Sequence, residues 1–90
     1  MYAIKTTNRF EKNYALCQSR GYNMSLLETA VKILEKDGKL PPQYKAHKLK
    51  NNWKGYWECH IAPDWLLVWK QDKKELVLTL THTGTHSDLF

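Results

Sequence analysis

The sequence predicts a small α+β domain in which two N-terminal helices pack on a mainly antiparallel, twisted sheet, in the order β-α-α-β-β-β. Two amphipathic segments with helical spacing occupy the first half of the chain, and three β-favouring runs joined by polar turns occupy the second. The 90 residues are 42% hydrophobic, which suits one modest core. Residues 1–90 are therefore expected to form a single domain.

The chain opens with a short strand and a first helix. Residues Tyr2–Thr6 alternate β-favouring residues with others, which predicts the strand. Residues 7–21 then carry apolar side chains at helical spacing. Thr7 or Asn8 is expected to cap the start of this helix, and Gly21 is expected to end it.

A second helix is expected directly after the first. Ser25 and Glu28 have the spacing of a capping box, and Gly38 is a natural helix stop. Because few residues separate the two helices, an antiparallel pair is expected. The apolar stripe of the second helix comprises Leu26, Leu27, Ala30, Val31, Ile33 and Leu34.

The second half of the chain contains a long polar loop followed by three strands. Residues 39–55 are rich in lysine and contain two consecutive prolines, which exclude a helix there. Residues 56–62 alternate, whereas residues 65–70 form a continuous apolar run typical of a central strand that is covered on both faces. Residues 71–75 are a polar turn, and residues 76–82 form the last strand.

The charge balance points towards a polyanionic partner. The chain has 14 Lys and Arg residues against 9 Asp and Glu, a net charge of +5, and twelve of the 14 are Lys. Nucleic acid is the first partner to consider, and lysines favour contacts with phosphate over readout of bases. No segment has the length of a membrane span or of a signal peptide, so a cytoplasmic protein without a membrane partner is expected.

The two cysteines, Cys17 and Cys59, do not have the CxxC spacing of a metal or redox site. They are therefore expected to be reduced and buried.

All four histidines lie in the second half, at His47, His60, His82 and His86. If the last three strands form a meander, the turn before the second strand and the end of the third strand lie at the same end of the sheet. We therefore expect His60, Asp64 and His86 to converge there, with His47 joining them from the basic loop.

Such a cluster can cleave RNA. A base removes the proton of the ribose 2′-hydroxyl, the oxygen attacks the neighbouring phosphate, and an acid protonates the departing 5′-oxygen. Lysines stabilise the charge that develops, so neither a metal nor a cofactor is required. Trp53, Trp57 and Trp65 can stack on unpaired bases.

Other interpretations of the same residues stay open at this point. His47 and His82, each taken alone, are more typical of surface or structural histidines, the strand tryptophans are more often core residues, and a pure RNA-binding domain is a comparable alternative. The spacings His82-x-x-x-His86 and His60-x-x-x-Asp64 mimic metal ligands only weakly, because such spacing converges on a helix and these segments are strand ends.

Two stretches carry a resemblance to a known family. "HKLKNNWKGYWECHIAPDWLLVWK", residues 47–70, and "TGTHSDLF", residues 83–90, together resemble the YafQ-type toxins of the RelE/ParE superfamily. These are mRNA interferases of bacterial type II toxin–antitoxin systems. The resemblance implies a small α+β RelE-like fold and an endoribonuclease that cleaves messenger RNA on the ribosome.

The resemblance also implies roles for individual residues. His86 corresponds to the general acid, and the three other catalytic positions activate the 2′-hydroxyl and hold the phosphate. The expected catalytic set is His47, His60, Asp64 and His86. The expected substrate-binding set, which includes the basic loop, is Lys48, Lys50, Trp53, Lys54, Trp65, His82 and Phe90.

Two positions depart from the family pattern, since relatives often have Arg where this chain has Trp57 and His82. A permanent cation near the phosphate is thereby lost unless Lys50, Lys54 or a protonated His82 replaces it. If His82 does so, activity is expected to rise below neutral pH.

The resemblance implies partners as well. A cognate antitoxin is expected to neutralise the protein, the ribosome and mRNA are the expected targets, and operator DNA is bound only through the antitoxin. Two alternatives remain: a ParE-like inhibitor of DNA gyrase with the same fold, which lacks this histidine set, and an RNA-binding module without catalysis.

Overall fold

The computed structural model describes residues 1–90 and confirms the α+β architecture. The main elements are β1 Ala3–Thr6, α1 Asn8–Ser19, α2 Met24–Asp37, β2 His47–Lys48, β3 Trp57–Ala62, β4 Trp65–Asp72, β5 Val77–Gly84 and α3 His86–Leu89. Single 3-10 turns occupy Pro42–Tyr44 and Asn51–Trp53. The sequence did not predict β2, α3 or these turns, because segments of two to four residues show no periodicity.

The sheet is built around β4. Its five strands lie in the order β1-β5-β4-β3-β2, with β1 parallel to β5 and all other pairs antiparallel. The apolar residues Trp65–Trp69 are all buried, as expected for a strand covered on both faces. The predicted central strand and meander are therefore confirmed.

Both long helices begin with a side-chain cap. In α1, Thr7 accepts a hydrogen bond from the backbone N–H of Phe10, as predicted. In α2, however, the cap is Asn23, whose side chain accepts from the Ser25 backbone N–H. The predicted Ser25–Glu28 capping box is wrong, since the Asn two residues earlier starts the helix first. Gly38 ends α2 in the left-handed conformation, as expected.

The main core lies between the two long helices and one face of the sheet. Leu27, Ala30 and Leu34 of the predicted α2 stripe are buried, whereas Leu26 is 45% exposed and lies outside it. The cysteines are free and buried, as predicted, and burial raises the pKa of Cys59 to about 12. The core cluster comprises Phe10, Cys17, Leu27, Leu34, Cys59, Trp65, Leu67, Trp69, Leu78 and Leu80.

The opposite face of the sheet carries three histidines and Glu58. Side chains alternate along a strand, so Cys59 in the core places Glu58 and His60 on the other side. The register aligns His60 with Leu66 and Gly84 across β3, β4 and β5. A second row aligns His47, Glu58, Val68 and His82. We call the face that carries these two rows the histidine face.

Neither long helix has the length and apolar run that a membrane-spanning helix needs.

Gly38→Ala should destabilise the fold more than Gly21→Ala. Both glycines have a positive φ, at +69° and +80°, but a Cβ at Gly38 would overlap a ring carbon of Tyr2, whereas Gly21 has open space. We expect losses in the free energy of unfolding of about 2–4 kcal/mol for Gly38→Ala and about 1 kcal/mol for Gly21→Ala. Urea unfolding of both variants measures this, and equal losses would contradict the packing of Tyr2 against the helix end.

Candidate active site

The centre of the site is a hydrogen-bonded pair between Asp64 and His86. Asp64 lies in the turn between β3 and β4, and His86 begins α3 directly after β5. Both the backbone nitrogen and Nδ1 of His86 contact Asp64 Oδ1, at 3.0 and 2.7 Å. Because an ionised carboxylate can only accept, His86 donates both bonds. The ring is thereby oriented, and its Nε2 stays available for proton transfer.

His60 completes the central group. Its ring centre lies 6.0 Å from that of His86, and the two rings are inclined by 51°. The antiparallel meander explains this proximity, because the C-terminal ends of β3 and β5 lie at the same end of the sheet. The structure therefore brings His60, Asp64 and His86 together as predicted, while their catalytic roles stay a prediction.

His47 is not part of this group. Its Nε2 lies 3.2 Å from Glu58 Oε1, and its Nδ1 lies 2.9 Å from the carbonyl oxygen of Lys45. Nδ1 is thus held by the backbone, and Nε2 faces a carboxylate of the protein. His47 sits on the histidine face opposite Glu58, two residues before His60 along β3.

Trp65 does not offer its ring to a substrate. It is 4% exposed, its indole nitrogen donates to Thr83 Oγ1 at 2.9 Å, and Tyr22 packs edge-on against it with ring centres 4.8 Å apart. The expectation that Trp65 stacks on a base is wrong for this conformation. The first residue of an apolar strand can point to either face, and this one points into the core.

Trp57 also lies away from the site. It pairs with Trp69, and the two rings stack at 6.1 Å with 10° between their planes on the helix side of the sheet. Base stacking by Trp57 on the histidine face is therefore excluded by alternation. For the same reason, the absence of Arg at this position removes no cation from that face.

An aromatic cluster of Trp53, Tyr56, His82 and Phe90 covers one side of the histidine face. The Trp53 ring centre lies 4.9 Å from His82, 5.3 Å from Tyr56 and 5.0 Å from Phe90. Phe90 is 55% exposed, so the outer edge of the cluster is open to a ligand.

His82 sits at the base of this cluster. Its Nδ1 is buried without a hydrogen-bond partner, and burial, aided by the positive charge of Arg9, lowers the pKa of the ring. His82 is therefore neutral near pH 7. The lowered pKa disfavours the protonated His82 that was expected to contact phosphate below neutral pH, and the burial that causes it cannot be read from the sequence.

The lysines expected to bind substrate lie together, but not beside His86. Lys48, Lys50 and Lys54 line a groove at the opposite end of the sheet, next to Trp57. Lys48 pairs with Trp57, three residues before His60, so the groove begins roughly 10 Å along β3 from the central group and extends from there to the β4–β5 hairpin. The sequence prediction missed three further lysines of the β4–β5 hairpin that line the same groove. The full set of this lysine groove is Lys48, Lys50, Lys54, Lys70, Lys73 and Lys74.

Lys45 lines a cavity together with His60 of the central group. A cavity of about 390 Å³ beside His60 is lined by Gln43, Lys45, Ile61, Ala62 and Pro63. Lys45 was not assigned to the site from the sequence, although it belongs to the lysine-rich loop. The path of that loop depends on the left-handed backbone at Lys45, φ 53°, which no local signal predicts.

Comparison of the chain with known protein families identifies its family. Residues 2–90 match the family model described as the bacterial toxin of type II toxin–antitoxin systems, YafQ. The chain belongs to the YafQ toxin family. The predicted family, and with it the class of mRNA interferase toxins, is thereby confirmed.

Individual relatives of this YafQ-family chain cover nearly its whole length. The mRNA interferase toxin YafQ of Escherichia coli B/BL21-DE3 is 38% identical over 88 residues, which is 97% of this chain and 94% of the relative. The crystal structure of YafQ from E. coli BL21(DE3) has a TM-score of 0.92 at 34% identity and covers 100% of this chain and 99% of that one. YafQ in the E. coli DinJ–YafQ complex has a TM-score of 0.90 at 35% identity, with the same coverage.

The hydrogen bonds from His86 should control the titration of Asp64. The side-chain bond, followed by the backbone bond, lowers the pKa of Asp64 from its usual 3.8. A lowered folded pKa means that the pair stabilises the fold above about pH 4 and ceases to do so as the pH falls through the folded value. In His86→Phe only the backbone bond remains, so we expect the Asp64 pKa to rise but to stay below 3.8.

Carboxyl-detected NMR measures this titration. His47→Phe is the matched control, because it removes another exposed imidazole of the histidine face and should leave Asp64 unchanged. An Asp64 titration that is identical in wild type and in His86→Phe would contradict the pairing.

Proposed function

We propose that this toxin cleaves mRNA on the ribosome by acid–base catalysis, with the substrate's 2′-hydroxyl as nucleophile. The observation that carries the proposal is the placement of His60 and His86. Their ring centres are 6.0 Å apart, and both residues lie at the same end of the sheet. Side chains at this separation can each reach one oxygen of a single phosphodiester, since proton transfer requires about 2.6–3.2 Å.

The chemistry proceeds in one displacement at phosphorus. His60 takes the proton of the 2′-hydroxyl, and the 2′-oxygen forms a bond to the adjacent phosphorus. The bond from phosphorus to the 5′-oxygen of the next nucleotide breaks, and His86 Nε2 gives that oxygen a proton. The products are a 2′,3′-cyclic phosphate and a free 5′-hydroxyl.

The hydrogen bonds of the site support this division of roles. His86 is oriented by Asp64 through Nδ1, which leaves Nε2 as the nitrogen that meets substrate. His47 is held by the Lys45 carbonyl through Nδ1, and its Nε2 faces Glu58, so it is less suited than His60 to meet substrate. We therefore infer that His60 is the base, while His47 and Glu58 hold the β2–β3 side of the site.

A permanent cation for the phosphate comes from Lys45. It lines the same cavity as His60, the proposed base. Its charge would stabilise the dianionic transition state, a role for which relatives use Arg at other positions. Because neither Trp57 nor neutral His82 can supply this charge, Lys45 is the cation we assign.

The remaining substrate contacts are sequence-independent. The lysine groove would hold RNA phosphates away from the cleavage point, and the exposed face of Phe90 over Trp53 would stack on a base. A surface of this length suits a target held in an extended form, as mRNA is on the ribosome. Ribosomal RNA offers phosphates to the same lysines.

A cognate antitoxin is the proposed protein partner. The E. coli relative YafQ has been crystallised with DinJ as a toxin–antitoxin complex. An acidic antitoxin segment would suit the net charge of +5, and operator DNA would be bound through the antitoxin alone. Growth arrest on expression of the toxin, relieved by co-expression of the neighbouring antitoxin gene, supports this partner.

His86→Ala should abolish cleavage. We expect the rate of mRNA cleavage on programmed ribosomes to fall by about 10²–10⁴-fold, because the leaving oxygen loses its acid. Ser87→Ala is the matched control, since it alters an exposed residue of the same turn outside the site. Primer extension locates the cut, and end analysis should find 2′,3′-cyclic phosphates with wild type.

Three outcomes would contradict the proposal. Cleavage that survives His86→Ala excludes the assigned acid. RNA binding without any cleavage supports a binding module, and gyrase inhibition with intact RNA supports a ParE-like function.

Replacing the loop lysines should weaken binding without slowing chemistry. In Lys48→Gln/Lys50→Gln/Lys54→Gln, we expect weaker binding to the ribosome. The slope of log K against log salt concentration should become shallower by up to about 0.7 for each lost phosphate contact. The single-turnover cleavage rate at saturating ribosomes should not change. The control Lys12→Gln/Lys32→Gln/Lys36→Gln removes the same charge from the helices. Equal weakening by both triple variants would show that only net charge matters.

A further inference from the structure

The helix that carries His86 is too short to hold its own position. α3 is a single turn, His86–Leu89, at the end of the chain. One helical turn is unstable in isolation, because fixing its backbone costs more than its hydrogen bonds return. The position of His86 therefore depends on what attaches this turn to the rest of the molecule.

Besides the bonds of His86 to Asp64, the turn is attached by an ion pair with Arg20, one of two arginines in the chain. Its Nη1 and Nη2 donate to Asp88 Oδ2 and Oδ1 at 2.6 and 3.0 Å, across 68 residues of sequence. This two-point geometry fixes the orientation of both planar groups as well as their distance. The guanidinium holds the pKa of Asp88 well below its usual range, so the pair stays charged at working pH.

The same carboxylate organises the start of α3. Asp88 Oδ2 accepts the backbone N–H of Thr85 at 2.9 Å, and Thr85 Oγ1 accepts the backbone N–H of Asp88 at 3.1 Å. A Cβ at Gly84 would lie 2.8 Å from Asp88 Oδ2, so the carboxylate packs directly on the end of β5. Arg20 thus holds the group that shapes the turn between β5 and His86.

Arg20 is itself attached to a rigid element. It is the C-terminal cap of α1, which is anchored by the buried Cys17 and by Asn13, whose Oδ1 accepts the Thr83 backbone N–H at 3.2 Å. Two residues after Arg20, Tyr22 packs on Trp65, the neighbour of Asp64. The connection between α1 and α2 therefore contacts the segments on both sides of the Asp64–His86 pair, through Trp65 and through Asp88.

We propose that Arg20 is a positioning residue of the cleavage site, which acts through Asp88 to keep His86 on Asp64. Arg20 does not touch substrate in this assignment. The inference rests on the proposed role of His86 as the acid.

Arg20→Gln should slow the chemical step without weakening binding. We expect the single-turnover cleavage rate on saturating programmed ribosomes to fall about tenfold, since a loosened acid is correctly placed for a smaller fraction of the time. The half-saturating ribosome concentration should not change. Lys12→Gln, which removes the same charge from an exposed position of α1, should keep the wild-type rate.

Coupling to Asp88 separates this role from a general loss of stability. If Arg20 acts through Asp88, the double variant Arg20→Gln/Asp88→Asn should be no slower than the slower single variant. A double variant whose loss of cleavage rate equals the product of the two single losses would overturn the proposal. In NMR spectra, the His86 Nδ1–H signal should exchange faster with water in Arg20→Gln, while amide signals of the sheet stay in place; an unchanged His86 signal would also overturn it.

Failure of this inference is distinguishable from failure of the proposed function. A wild-type rate in Arg20→Gln, with His86→Ala inactive, removes the role of Arg20 and leaves the acid assignment intact. Full activity of His86→Ala removes the acid assignment, and the role of Arg20 with it.

Discussion

The two hydrogen bonds from His86 to one carboxylate oxygen of Asp64 are the interaction on which the rest of the site depends. They join the turn before the central strand to the last turn of the chain, 22 residues later. They orient the imidazole through Nδ1, leave its Nε2 free, and hold its ring centre 6.0 Å from that of His60. Without them, α3 would carry its histidine on a mobile end, and a proton donor needs a defined position to assist a departing oxygen.

The apolar sheet makes this exposed pair possible. Both faces of β4 are covered, so its backbone is rigid and fixes the positions where β3 ends and β5 returns. Asp64 and His86 themselves are 65% and 55% exposed, so they add little to stability and remain open to substrate. The fold thus separates stability, which comes from Trp65–Trp69 and the helices, from the proposed chemistry at the end of the sheet.

The sequence predicted the fold and the central group because both follow from local patterns. The apolar run Trp65–Trp69 identifies the central strand, and a meander brings His60, Asp64 and His86 to one edge whatever the details of packing. What depends on three-dimensional surroundings was not predictable. Burial lowers the pKa of His82 and hides Trp65, and strand alternation, which depends on the exact register, puts Trp57 on the far face. The ion pair of Arg20 with Asp88 spans 68 residues and leaves no local signal.

The most direct test of the central claim replaces the leaving 5′-oxygen of the substrate with sulfur. A thiolate departs without an acid, so a variant that lacks only the acid regains its rate on this substrate. We predict that His86→Ala cleaves the 5′-thio mRNA on programmed ribosomes at close to the wild-type rate, whereas His60→Ala stays slow on both substrates. If His86→Ala is equally impaired with oxygen and with sulfur, His86 is not the acid, and the account of this site is wrong.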